Sequence, residues 1–453
     1  MPKTYRNFFL ASSPSTWVRE SFTILFMKLA LLLIYLLELV IGYVLRYLNL
    51  RHLKLHGSEV PPNFTGAIDP ETLRKTSAYT LEQSRVGLIE SIFGAVILVV
   101  FLFGGLMGAY DRWIASLTDS FILEGVLFFL LLYFAQTILD IPFSLYQTFR
   151  IENRYGFNTM TAKLWIADFA KSTVISAILI SLLMAGALFL IQFSPNWWWL
   201  WVWGFFATFT LFLMYISPYV IEPLFFKFKP VSKEGLEEEI RALLTKAGLE
   251  ISRVMEVDAS RRSRHSNAYF TGIGRVKRIV LYDTLLEQMD NREVLAILAH
   301  EAGHWKKRHI VKRLVLTEAG SLVACFVAFH LLQWPGLPGL VGLAYASLPA
   351  QLVILGFLGS LISFPTTPLG SWLSRRHEWQ ADRFASELSG MPDALASALI
   401  KLTRENLSNL HPHPLYAAIY YSHPPVVERV KRLLEGKGGI TESSASPGCL
   451  GSG

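Results

Sequence analysis

Apolar residues run along this chain in stretches longer than a soluble helix needs. The segments 22–45, 86–109, 122–139, 174–193, 199–219, 314–332 and 351–364 are each predominantly apolar. About 18–25 such residues, wound as a helix, cross a hydrocarbon core about 30 Å thick. The pattern therefore predicts seven membrane-spanning helices, the last of them short. Trp197, Trp198 and Trp199 fall between the fourth and fifth segments, where an interfacial aromatic belt is expected.

The pattern changes between the fifth and sixth segments. From about 223 to 313 the chain has soluble character, beginning with a helix over 236–247 whose Leu236, Ile240, Leu243 and Leu244 form one apolar stripe. Two strand-like segments, 266–271 and 276–282, flank Gly272-Ile273-Gly274-Arg275, which reads as a hairpin turn. Asp290 followed by Glu293 is a capping box that opens the next helix. After the seventh span, Pro365 and Pro368 predict a break, with a new polar helix starting near Gly370 and running through Glu387. The expected organisation is spans one to five in 1–222, a soluble portion in 223–313, spans six and seven in 314–364, C-terminal helices in 365–440 and a disordered tail in 441–453. The fold class is mainly α, with a small β-hairpin or sheet in the soluble portion.

Composition agrees with a lipid setting: of 453 residues 52% are hydrophobic and only 17% charged, against roughly 25% charged in soluble proteins. The net charge of +7 is spread by loop rather than gathered into a patch, which argues against nucleic acid. Arg46, Arg51, Lys54, Arg74, Lys75 and Arg85 follow the first span, and Arg150, Arg154, Lys163 and Lys171 follow the third, whereas the even-numbered loops hold almost none beyond Arg112. The positive-inside rule then puts the soluble portion and the C-terminus in the cytoplasm, with the N-terminus outside. Lys3, Arg6 and Arg19 run against that orientation. Cys325 and Cys449 are the only cysteines, so no disulfide framework exists.

Candidate chemistry centres on His300-Glu301-Ala302-Gly303-His304. Residues four apart share a helix face, so two imidazoles can grip one metal ion while Glu301 is placed to activate a water. A catalytic zinc takes three protein ligands and leaves a position open. Glu378 is the best candidate for the third, because Asp382 lies four residues on and can accept the outer N–H of a ligand imidazole. His377 is the rival ligand, about 100° away around the helix. His309, His411 and His413 read as solvated histidines near helix ends and loops. Glu38, Glu90, Glu124 and Glu318 lie inside predicted spans, where a charge facing lipid is costly.

Together these residues resemble the integral-membrane zinc metallopeptidases that include the CAAX prenyl proteases. The resemblance rests on Glu152 with Tyr155-Gly156-Phe157-Asn158, on Ser266-Asn267-Ala268-Tyr269-Phe270, on His300 through Trp305, on Ser374 through Asp382, on Glu405-Asn406-Leu407-Ser408 with His413-Pro414-Leu415-Tyr416, and on Ser422-His423-Pro424-Pro425 with Glu428-Arg429. Ala302 stands where that family often has a bulkier apolar residue. The resemblance implies a helical barrel around a large water-filled chamber, one zinc per chain, and an endopeptidase acting on peptides or proteins that are membrane-associated, with lipid modification of the substrate left open. It further implies that Asn267, Ala268 and Tyr269 belong to a strand that pairs with an extended substrate, that His423 donates to the tetrahedral oxyanion, and that Arg429 anchors either the substrate or the ligand surroundings. A monomer in the bacterial inner membrane or the endoplasmic reticulum membrane is expected. Two other readings stand beside it: a quality-control protease without prenyl specificity, and a transporter or channel with a vestigial metal site.

Overall fold

A computed structural model describes residues 14–271 and 277–436. The hairpin turn at 272–275, the charges of Lys3 and Arg6, and the tail lie outside the described residues. Seven helices are long and apolar enough to cross a membrane: Leu25–His56, Pro70–Phe103, Phe121–Tyr155, Ala162–Phe193, Trp198–Phe225, His309–Leu332 and Leu348–Ser389. Most extend well past their apolar stretches. The second stops at Phe103 rather than near 109, because Gly105 turns left-handed at φ +84° and a separate helix, Leu106–Ala115, follows.

The seventh corrects the sequence reading. Leu348–Ser389 is one continuous helix through Pro365 and Pro368, so no new helix begins near Gly370. Each proline removes one backbone donor without ending the helix. Nearby, the Thr366 hydroxyl donates to the Ser363 carbonyl at 2.8 Å and that of Thr367 to the same carbonyl at 3.1 Å.

The chain divides into two compact units. Residues 14–50, 81–225 and 313–368 hold the greater part of the membrane-length helices. Their core gathers Leu102, Met107, Leu337 and Ile354, while Leu33, Ile138, Val315 and Ile362 stay exposed. Large apolar residues left open in this number suit a surface bathed in lipid. None of Glu38, Glu90, Glu124 and Glu318 is buried in protein.

The second unit comprises residues 51–80, 226–312 and 369–436. Its sheet has four strands, β1 (Phe228–Pro230), β2 (Ile251–Val257), β3 (Ala268–Thr271) and β4 (Lys277–Tyr282), in the order β1-β2-β4-β3. β2 runs parallel to β4, and the other pairs are antiparallel. β3 is therefore an edge. The first two strands were not expected from the sequence. Glu256 interrupts the apolar alternation of β2, yet it is buried, accepting from the Ser232 hydroxyl at 2.6 Å and pairing with Lys229 at 2.9 Å.

The helix Leu236–Lys246 buries the predicted stripe of Leu236, Ile240, Leu243 and Leu244. Leu236, Ile240 and Leu244 pack with Ala268, Leu281, Val294 and Leu298, which ties the edge strand to the helix Asn291–Lys306. A second cluster joins Ala296 and Ala299 of that helix to Phe64 and Ile68 from the first loop and to Leu73 in the first turn of the helix Pro70–Phe103. The loop after the first span is thus part of the core beneath the candidate site.

Candidate active site

The metal helix, Asn291–Lys306, starts where the capping box predicts. The Asp290 carboxylate accepts the Glu293 N–H at 2.9 Å, and the Glu293 carboxylate accepts the Asp290 N–H at the same distance. Glu293 is also bonded by Ser397 and Lys401, at 2.7 Å each, so the start of the helix is fixed to the helix Pro392–Glu405. One end being anchored, the two histidines are held in register one turn apart.

Their Nε2 atoms lie 3.2 Å apart. Glu378 Oε2 is 3.4 Å from His300 Nε2, and Oε1 is 3.3 Å from His304 Nε2. Tetrahedral zinc with bonds of about 2.0–2.1 Å spaces its ligand atoms by about 3.3 Å. The three side chains therefore fit that ion. Glu378 Oε2, buried with no hydrogen-bond partner, points the same way. Among the described residues this is the one cluster of ligating side chains with such spacing.

Behind the set, Asp382 Oδ1 meets His300 Nδ1 at 2.8 Å and fixes that ring. Arg429 grips Asp382 with both arms, at 2.8 and 2.6 Å, and its Nη1 lies 3.5 Å from Glu378 Oε2. Burial opposes the charge on Arg429, but Asp382, with Glu378 and Glu301, outweighs it and raises the pKa. Removing one partner of a buried pair of this kind costs about 3–5 kcal/mol. Arg429 is 7% exposed and committed to Asp382, the geometry of a support rather than of a group reaching for substrate. Burial likewise works against a charged His300, yet Asp382 and Glu378 lift its pKa to about 9, the mark of a pocket that favours a cation. His377 turns elsewhere and stacks on His309, with centroids 4.0 Å apart.

In front of the set is a cleft of about 150 Å³, lined by Asn267, Ala268, His300, Glu301, Glu378 and His423 among others. Burial pushes the Glu301 carboxyl above its ordinary value, only partly offset by the two histidines. His423 Nε2 is 3.4 Å from Glu378 Oε1, its side chain is 62% exposed, and Ser422 Oγ sits 3.0 Å from its Nδ1.

The Tyr282 N–H donates to the Asn267 carbonyl, so the two-residue alternation of the antiparallel ladder turns the N–H and C=O of Ala268 and Phe270 toward the free edge. Of the three residues in the expected substrate strand only Ala268 turns its backbone to that edge, because the Asn267 carbonyl is taken by Tyr282 and the same alternation turns inward Tyr269. Its backbone faces β4, and its ring joins Val257 and Val280 on the other face of the sheet, away from the cleft. A period of two forbids three consecutive residues from serving one edge.

Some supporting residues escaped sequence reasoning. Arg375 donates to the carbonyls of Ala417 and Tyr421 at 3.1 and 2.7 Å, and so holds the end of the helix Pro414–Tyr420 just before His423. Its place in the Ser374–Asp382 motif was the available signal. His309 is 4% exposed, not solvated, since it packs against His304 and His377. His411 Nε2 donates to the Glu59 carbonyl, 2.7 Å away, and the residue is half-buried.

Residues 49–227 match the family model described as CAAX prenyl protease N-terminal, five membrane helices, and residues 230–437 match peptidase family M48. A CAAX prenyl protease 1 homolog of Arabidopsis thaliana is 34% identical, covering 88% of this chain and 97% of the relative. CAAX prenyl protease 1 of Saccharomyces cerevisiae is 31% identical over 85% and 91%. The crystal structure of S. mikatae Ste24p superposes with a TM-score of 0.81 at 30% identity, covering 89% of this chain and 98% of that one. The expected fold class, membrane helices around a chamber with a small sheet in the metallopeptidase portion, is the fold shared with that structure. Family membership also sets aside the transporter reading. With two histidines from one helix and a glutamate from another at zinc spacing, and both halves matched, the chain belongs to peptidase family M48 and is a multi-pass membrane zinc metallopeptidase of the CAAX prenyl protease kind.

Proposed function

We propose that this chain hydrolyses peptide bonds in extended segments of membrane-associated proteins, with C-terminally prenylated CAAX proteins as its substrate class. One zinc is held by His300, His304 and Glu378. When bound there, it supplies a Lewis acid that polarises the scissile carbonyl and acidifies a water toward pKa about 7. Glu301 takes the proton from the attacking water and delivers it to the leaving amine. His423 donates to the oxygen on which negative charge develops. Asp382 and Arg429 hold His300 and Glu378 in place. The catalytic unit faces the cytoplasm, as the loop charges favour, and the chain acts as a monomer.

The observation that carries the reading is the free edge of β3 beside Glu301 in one cleft. An extended peptide adds there as a further strand, with Ala268 and Phe270 supplying backbone bonds. Ala268→Pro removes an N–H that now goes to the Asn267 side chain at 2.8 Å rather than to β4, so the ladder survives. The expected result is a raised KM or lost cleavage at unchanged zinc content. Normal kinetics would move the substrate to another cleft.

His423→Ala should lower kcat by about 10²–10³-fold with little change in KM, because an oxyanion donor acts only in the transition state. A variant that melts earlier while its folded fraction keeps wild-type kcat would remove His423 from the site.

The similarity to CAAX prenyl proteases supports the substrate class. Matched peptides with and without a farnesylated cysteine, incubated with the protein in lipid vesicles and read by mass spectrometry, test it. Cleavage of the farnesylated peptide three residues from its C-terminus, with a higher kcat/KM than its unmodified twin, is the expected outcome. Equal kcat/KM for both peptides favours quality control of membrane proteins instead.

A further inference from the structure

The two candidate histidine ligands have different outer partners. His300 Nδ1 faces the carboxylate of Asp382, whereas His304 Nδ1 lies 3.1 Å from Nδ1 of another imidazole, His309. His309 Nε2 in turn lies 2.9 Å from Gln380 Oε1, and His377 covers one face of its ring, 4.0 Å away and tilted by only 9°.

We propose that His309 is a positioning residue for the metal set: a neutral imidazole, backed by Gln380, that accepts the outer N–H of His304 and holds its Nε2 lone pair toward the ion. The proposal rests on His304 being a ligand. Proton counting then gives the chain of bonds one direction. A ligand nitrogen carries no proton, so neutral His304 carries its proton on Nδ1. Two Nδ1 atoms 3.1 Å apart share that one proton, which makes His309 Nδ1 the acceptor. His309 therefore bears its own proton on Nε2, facing an amide oxygen that can accept it. Run the other way, the chain would protonate His304 Nε2 and exclude the ion.

The backbone is shaped to deliver this ring. Only Lys307 and Arg308 separate the metal helix from the helix His309–Leu332, and Arg308 sits at φ +56°, a left-handed conformation that a residue with a Cβ rarely adopts. Strained backbone of this kind persists where the surroundings require it. The sharp reversal returns His309 against the ring of His304, with centroids 5.1 Å apart, and buries it to 4% exposure. The choice of a neutral acceptor has a chemical consequence. Glu378 within the set and Asp382 behind His300 already supply two carboxylates, with Arg429 against them; a third carboxylate in place of His309 would withdraw more of the positive charge that a bound ion would offer to substrate.

The test uses the full chain in detergent, with zinc affinity measured by chelator competition and the ligand field by the absorption bands of the cobalt-substituted protein. His309→Phe keeps a ring to stack on His377 but has no acceptor, and is expected to lose about 10–100-fold in zinc affinity and to shift the cobalt bands. His309→Asn loses the ring but can offer an amide oxygen near the Nδ1 position, and is expected to retain most of the affinity. Thermal unfolding of the zinc-free variants is recorded alongside to separate packing from coordination. Equal affinities in the two variants, or tighter binding by Phe than by Asn, overturns the proposal. A His304→Ala control that binds zinc as tightly as the wild type would instead overturn the ligand assignment beneath it.

Discussion

Glu301→Gln is expected to keep its zinc and lose at least about 10²–10⁴-fold in kcat, the range supplied by a positioned acid–base group. The amide preserves the shape of a half-buried side chain that lines the cleft beside His300. It cannot take a proton. Burial holds the Glu301 carboxyl above its ordinary pKa, the direction that suits a general base. Zinc content and kcat measured on one preparation decide the matter. A variant with full zinc and near-normal turnover would assign the base elsewhere.

Glu378→Ala is expected to abolish activity by a different route, emptying the site. Its two oxygens, at 3.4 and 3.3 Å from the two Nε2 atoms, complete the set, and no other carboxylate is grouped with those histidines among the described residues. The loss of zinc affinity should exceed the 10–100-fold typical of losing an outer partner, roughly 1.4–2.7 kcal/mol. It also leaves Arg429 short of one of its two anionic neighbours. Elemental analysis after dialysis against chelator reads the result. Undiminished zinc would reopen the place of His377 as ligand, although that ring now stacks on His309.

Much of this was legible in the sequence, for identifiable reasons. Membrane-length helices announce themselves because lipid demands long apolar runs, and all seven were located, though their ends were not. The helical ends project beyond the apolar segments, where no hydrophobic signal marks a boundary. Pro365 and Pro368 misled because proline, which breaks a helix in water, is tolerated inside membrane-length helices such as this one. The metal set was legible because ligand spacing along a helix is local: His300 to His304, and Glu378 to Asp382, are each one turn. What could not be read is what meets from far away in the chain. Arg429 reaches Asp382 across 47 residues, and the first loop reaches the metal helix through Phe64 and Ile68. Buried polar residues hid most completely, since Glu256 broke the period of β2 and His309 looked like an ordinary residue at a helix start. In both cases the partner that makes burial tolerable lies outside the local window.

The central claim is that one zinc, held by His300, His304 and Glu378, makes this chain a peptidase. Stepwise return of zinc to chelator-stripped protein, with peptide cleavage followed on each sample, tests it most directly. The account predicts no cleavage before the first addition, a linear rise, and a break at one equivalent per chain. Cleavage by the stripped protein, or activity that continues to climb to a second equivalent, would contradict it.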